Sequence, residues 1–218
     1  SNGLESDTEI KTNYITVSLD PVRCLFVPAQ YLTIQAAINA SVDGDYIIVA
    51  DGIYYENLVI EGKNITLASY YFIDGDSTHI ANTIIDGSQA LNPDQASTLT
   101  ILPSGGRPVS SPHIVGFTIR NGAGRKVIQN IGSNTIEKRA GGGIYIRQSN
   151  PLFTFNRIED NDADDEGGGS YAFQSLPNFG GMVNASVGIV NPGNNTFSNN
   201  HADLGADIYI YGVTTRDA

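Results

Sequence analysis

One phrase occurs three times in this chain: Gly-Gly-Gly-Ile-Tyr at 141–145, Gly-Gly-Gly-Ser-Tyr at 167–171 and Gly-Ala-Asp-Ile-Tyr at 205–209. A second phrase precedes the last two copies, Asn156-x-Ile158-x-x-Asn161-x-Ala163 and then Asn195-x-Phe197-x-x-Asn200-x-Ala202. The copies of the first phrase begin 26 and then 38 residues apart. A period in the twenties with variable insertions is the signature of stacked single-coil repeats. Each unit buries its apolar face only by stacking on the next. The reading is therefore an all-β fold, a right-handed single-stranded parallel β-helix, with short strands separated by tight turns.

Local patterns agree with that reading. Ile34, Ala37, Ile38 and Ser41 recur at helical spacing behind Thr33, a side chain suited to an N-cap. This short helix is expected to plug the open N-terminal end, where bare strand edges invite aggregation. Strands follow at 46–50, 57–60 and 64–68, separated by Asp51-Gly52 and Glu61-Gly62, and these three are read as one triangular coil. Later strands are expected at 83–85, 99–102, 114–119, 143–146, 152–155, 170–173, 187–190, 195–197 and 208–211. Asparagines at repeated turn positions are suited to side-chain amide bonds from coil to coil. Residues 121–140 and 174–194 are read as displayed loops. Residues 1–30 are expected to be an extension or edge strands, with a strand at 14–19, and 31–218 the β-helix domain, excised from a longer protein.

Composition excludes some functions. The single cysteine, Cys24, rules out an internal disulfide and a cysteine-based metal site, and it is read as a small buried hydrophobe. No apolar run reaches membrane-spanning length. The net charge of −11 argues against nucleic acid as a partner. That average hides a segregation. Between Arg107 and Arg157 there are eight basic residues and one acid, a surplus of +7, whereas the remaining positions sum to −18. Directly afterwards, Glu159, Asp160, Asp162, Asp164, Asp165 and Glu166 place six acids in eight residues.

Two groups of candidates come from this pattern. Asp160, Asp162 and Asp164 alternate in a turn, and alternating carboxylates can converge on Ca²⁺. Strand alternation turns Arg120, Tyr145 and Arg147 outward. The 27 residues between the two arginines suggest one coil, so that both would share an outer face. Guanidinium forks suit carboxylates and an aromatic face suits a sugar ring. The bland counterpart is a basic face that balances the acidic turn. The histidines have no ligand spacing, and no serine has a His–Asp partner in sight.

The stretch from Tyr31 through Asp43-Gly44-Asp45, Lys63-Asn64-Ile65-Thr66-Leu67 and Thr83-Ile84-Ile85-Asp86-Gly87 resembles the opening of pectin-lyase-like parallel β-helix proteins. Gly116-Phe117-Thr118-Ile119-Arg120-Asn121-Gly122 and the Gly-Gly-Gly-x-Tyr phrases resemble repeat-rich secreted members of that superfamily. The opening is also similar to pectin methylesterases, but their Gly-x-x-Asp-Phe-x-x-Gly context is missing here. The resemblance implies an extracellular or cell-surface module that meets a polysaccharide, an acidic one given the basic face, beside other domains of the same chain. A second reading is a Ca²⁺-dependent polyuronate lyase. There Asp160, Asp162 and Asp164 would hold the cation, and Arg120, Arg147 or Arg157 would take the proton next to the uronate. A third is a structural stalk or adhesin that binds no glycan.

Overall fold

The computed structural model describes residues 22–105, 110–131, 134–179, 182–184, 188–190 and 193–212. They are mostly β, and the chain visits three five-stranded parallel sheets in rotation. The first sheet takes Cys24–Val27, Tyr46–Val49, Thr66–Ser69, His113–Val115 and Leu152–Thr154 in that order. The second takes Gly52–Tyr54, Thr83–Asp86, Thr118–Arg120, Arg157–Glu159 and Thr196–Ser198. The third takes Leu58–Glu61, Leu99–Leu102, Ile144–Arg147, Ser170–Phe173 and Ile208–Tyr211. Parallel neighbours need a long connection. From Tyr46–Val49 to Ser170–Phe173 each connection is a passage through the other two sheets, whereas Cys24–Val27 reaches Tyr46–Val49 through the helix Ile34–Ala40.

Alternation decides what the circuit encloses. Ile47, Leu67, Ile114 and Phe153 from the first sheet, Ile85, Ile119 and Ile158 from the second, and Leu58, Ile60, Ile101 and Ile146 from the third share one core. The helix Ile34–Ala40 adds Ile34, Ala37 and Ile38 to it. Thr33 accepts from the Ala36 N–H as its N-cap, and the Glu56 carboxylate takes the free N–H groups of Ile34 and Gln35 at 2.9 Å each. The Gln35 amide stands in for a missing strand: it accepts from the Val59 N–H at 2.8 Å and donates to the Val59 carbonyl at 3.1 Å. Lys63 Nζ donates to the Ile38, Asn39 and Ser41 carbonyls and so closes the C-terminal end of the helix.

The thrice-repeated phrase falls in register. Ile144 pairs with Ser170 and Ser170 with Ile208, while Tyr145, Tyr171 and Tyr209 align beside them. Gly141, Gly167 and Gly205 all sit at positive φ, 66°, 67° and 63°. Two asparagine ladders flank the second sheet. Asn156 Nδ2 donates to Asn195 Oδ1 at 3.0 Å, and Asn161 Nδ2 to Asn200 Oδ1 at 3.0 Å. Each amide also meets backbone: Phe117 N–H donates to Asn156 Oδ1, and Gly122 N–H to Asn161 Oδ1. Buried amides persist where every group finds a partner.

Several expectations need correction. Gly52–Tyr54 is a strand, so the first circuit closes at Leu58–Glu61 and 64–68 belongs to the next one. Residues 124–140 are no loop but an antiparallel hairpin, Gly124–Ile131 with Asn134–Ala140, whose base pairs with Gln95–Ala96. Met182–Asn184 and Gly188–Val190 also pair antiparallel. Cys24 is exposed, because the alternation that buries Leu25 and Val27 turns it outward. Its strand is the edge of the first sheet, while 14–19 lies outside the described residues. Two helical turns, Tyr71–Asp74 and Thr78–Asn82, interrupt the coil and cover outward Ile48, Ala68 and Val115 through Tyr70 and Tyr71.

That helical segment is tied down by a doubly bonded imidazole. His79 Nδ1 lies 2.6 Å from Asp51 Oδ1 and its Nε2 3.2 Å from Asp74 Oδ2. The hydrogen bond to Asp51 raises the His79 pKa above its ordinary 6.5; burial opposes it, and the weaker bond to Asp74 adds to the raise. A raised folded-state pKa gives stability that is fully present below the unfolded value and is lost as pH rises through the folded one. His79→Gln is therefore expected to lower Tm by about 2–4 °C at pH below 6.5 and by almost nothing in alkaline buffer. Thermal melts of both proteins across that range check it. An equal shift at both ends would contradict the charged pair.

Candidate functional site

The hairpin lies over the third sheet, and a groove of about 550 Å³ runs between them. Arg125–Gln129 of the hairpin form one wall, and Tyr145, Arg147, Tyr171, Phe173 and Tyr211 of the sheet form the other. The sheet wall follows from period-two alternation on three successive strands. Ile146 and Ala172 point into the core, so the residues on either side of them point out. Parallel register then stacks like on like: Tyr145, Tyr171 and Tyr209 in one column, Arg147, Phe173 and Tyr211 in the next.

The rings of the first column are stacked, 5.5 Å between Tyr145 and Tyr171 and 5.9 Å between Tyr171 and Tyr209. The Arg125 guanidinium sits 5.7 Å above the Tyr145 ring. Tyr145 is only 5% exposed. The expected role of Tyr145 as an open platform for a sugar ring is thus corrected: its faces are covered by Tyr171 and Arg125. Burial raises its phenol pKa, and the guanidiniums of Arg147 and Arg125 pull against that shift. In the outer column Phe173 and Tyr211 stack at 5.9 Å, and Tyr211 remains 46% exposed.

The basic residues divide into two kinds. Lys138 is paired with buried Glu166, Arg139 reaches Asp164 at 3.8 Å, and its N–H donates to Asp165 at 2.7 Å. Arg157, on the second sheet, pairs with Glu159 at 2.8 Å. Lys126 pairs with Glu137 at 2.8 Å. Arg120 also belongs to the second sheet, and its Nε donates to buried Asp86 at 3.0 Å. Burial works to raise the Asp86 carboxyl, but hydrogen bonds from Ser88, Asn121 and Arg120 outweigh it and hold it below the usual carboxylate range. Arg120 and Arg147 therefore do not share a face. Arg125 and Arg147 make no ion pair among the described residues, and both border the groove.

The acidic turn is balanced by protein groups. Asp162 Oδ1 accepts from the Asp164 N–H at 3.0 Å and faces His201 Nδ1 at 3.2 Å, and Asp160 is exposed. These carboxylates do not converge, and among the described residues no three His, Cys, Asp or Glu side chains form a metal-binding group. Asp162 and Asp164 line a different cavity, with Arg139. The turn and Arg147 thus do not meet in one site. Arg125, Phe173 and Tyr211 are groove residues that the sequence reading passed over. The signal for Phe173 and Tyr211 was the outward position two residues beyond a repeated tyrosine, the one that Arg147 holds, whereas Arg125 on the hairpin had no such mark.

The architecture places the chain among mostly-β proteins built from parallel sheets. No protein-family model matches it, and no curated protein matches it. One solved structure with a similar course is a pectin methylesterase mutant in complex with a hexasaccharide, at a TM-score of 0.37 and 13% identity, over 88% of this chain and 80% of that one. At that level the likeness carries no argument about function. Among the described residues, no helix is long and apolar enough to cross a membrane.

Proposed function

We propose that this chain is a carbohydrate-interacting β-helix module that holds an acidic polysaccharide in the groove beneath the hairpin. The observation that carries the reading is the pair Arg125 and Arg147. They are the basic groove residues with no carboxylate partner among the described residues, and they flank an aromatic wall. Unpaired guanidiniums recognise carboxylates through bidentate hydrogen bonds, and exposed aromatic surface suits the apolar face of a sugar. The three sheets belong to this reading as the faces of a single right-handed coil. Two points support it: from Tyr46–Val49 to Ser170–Phe173 the strands of the three sheets follow one another in fixed rotation, and crossovers between parallel strands are right-handed in about 98% of cases. An extracellular or cell-surface location beside further domains of a longer chain is part of the same proposal.

Calorimetric titration with polyuronate tests it. Arg125→Ala and Arg147→Ala are each expected to weaken binding by about tenfold or more, the loss of one charge-assisted pair. Arg120→Ala should leave affinity unchanged. Affinity that survives both groove substitutions would place the site elsewhere. The absence of any affinity in the wild type would favour a display stalk.

A further inference from the structure

The groove is not uniform along its length. Both unpaired cations sit at the rung Ile144–Arg147: Arg147 belongs to it, and Arg125 lies over its Tyr145 ring. The next two rungs contribute only aromatic rings to the outer column, Phe173 and then Tyr211, in register with Arg147. Adjacent rungs are about 4.8 Å apart. A ligand lying along the coil axis therefore meets positive charge at one rung and uncharged aromatic surface over the following two. Lys126 does not extend the charge, since Glu137 neutralises it at 2.8 Å.

A chain of consecutive acid units fits this gradient poorly. One carboxylate would find Arg125 and Arg147, but the next would rest on Phe173 and Tyr211 with no cation to replace its lost water. A neutral ring in that place meets the exposed surface of Tyr211 instead, at little desolvation cost. We infer that the groove selects a glycan in which acidic units alternate with neutral ones, one anion bound between Arg125 and Arg147 and the adjoining neutral ring packed on Phe173 and Tyr211. The inference rests on the groove being the glycan site proposed above.

The test is a calorimetric titration with three oligosaccharides of matched length. One alternates glucuronate with N-acetylglucosamine, one is built of consecutive galacturonates, and one is neutral. The wild type is expected to bind the alternating oligosaccharide about tenfold more tightly than the consecutive one and the neutral one not measurably. Tyr211→Ala and Phe173→Ala should erase most of that preference, lowering affinity for the alternating oligosaccharide far more than affinity for the consecutive acid. Tyr211 is the more exposed of the two, so its variant guards against a folding artefact, and a melt at the wild-type midpoint confirms it. Equal or tighter binding of the consecutive acid, or a preference that outlives both substitutions, overturns the inference and leaves the acidic-glycan site standing. No binding of either acid overturns both, as does neutral binding equal to the alternating acid.

Discussion

Gly122→Ala is expected to destabilise the protein by roughly 4 kcal/mol or more, the range reserved for substitutions that break a structural constraint outright. A Cβ built on Gly122 would stand 1.9 Å from the Gly142 carbonyl oxygen, 2.8 Å from its carbon and 2.5 Å from Thr98 Oγ1. The obstruction is backbone at the far end of the hairpin insertion, so no rotamer change relieves it, and the turn would have to open beside the asparagine ladder at Asn161. Gly142→Ala meets backbone as well, with Gly168 O at 2.4 Å. Gly105→Ala is the control. It has open space around it and no positive φ, and it is expected to be neutral within about 0.5 kcal/mol. Denaturant unfolding of the three variants checks the ranking, and a Gly122→Ala protein as stable as the control would contradict this close backbone approach.

Lys138→Met is expected to cost about 3 kcal/mol, or ~6–12 °C in Tm, because it leaves the buried Glu166 carboxylate without its cation. Lys138 Nζ donates to Glu166 Oε1, and among the described residues Glu166 Oε2 has no hydrogen-bond partner of its own. The pair also ties the outer strand of the hairpin to the turn that carries the second glycine triplet. If the hairpin lifts locally before the coil unfolds, the measured loss will be capped at the free energy of that opening. Glycan affinity should then fall with stability, since the hairpin is one wall of the groove. Lys138→Met combined with Glu166→Gln should recover most of the loss, as it removes both charges together. Equal destabilisation by the single and double variants would mean that the ion pair is not what anchors the hairpin.

The parallel stacking of strands was legible in the sequence because stacking repeats its demands. A turn that needs positive φ requires glycine at the same place in successive circuits, and Gly141, Gly167 and Gly205 record that requirement. The asparagine phrase does the same for buried turns, where an amide must bond both to its copy and to backbone. Circuit lengths were not legible, because insertions between strands are free to vary. Arg120 and Arg147 stand 27 residues apart and yet occupy different sheets, since the hairpin fills the interval. The hairpin itself left a faint signal. In the sequence, Gly-Ser at 132–133 is a dipeptide of the kind that separates two hairpin strands. Its flanks carry Lys126, Glu137, Lys138 and Arg139, whose charges pair with one another and with the acidic turn, rather than a clean alternation of apolar residues.

The candidate site was half visible for a related reason. Alternation correctly turned Tyr145 and Arg147 outward, but it cannot say what lands on an outward face. Tyr145 became part of a closed column, whereas Tyr211, two residues beyond the third repeated tyrosine, kept an exposed surface. The segregated charge was mostly structural: Lys138, Arg139 and Arg157 answer the acidic turn one by one. What that balance leaves over among the described residues, Arg125 and Arg147, is what marks the groove.

The most direct measurement is the titration of the wild-type protein with polyuronate at low and high salt, repeated with Arg125→Ala/Arg147→Ala. Binding through two guanidiniums in a groove predicts an affinity that falls with ionic strength and a double variant that has lost both the affinity and its salt dependence. A double variant that binds as the wild type does, with the same salt dependence, would contradict the account.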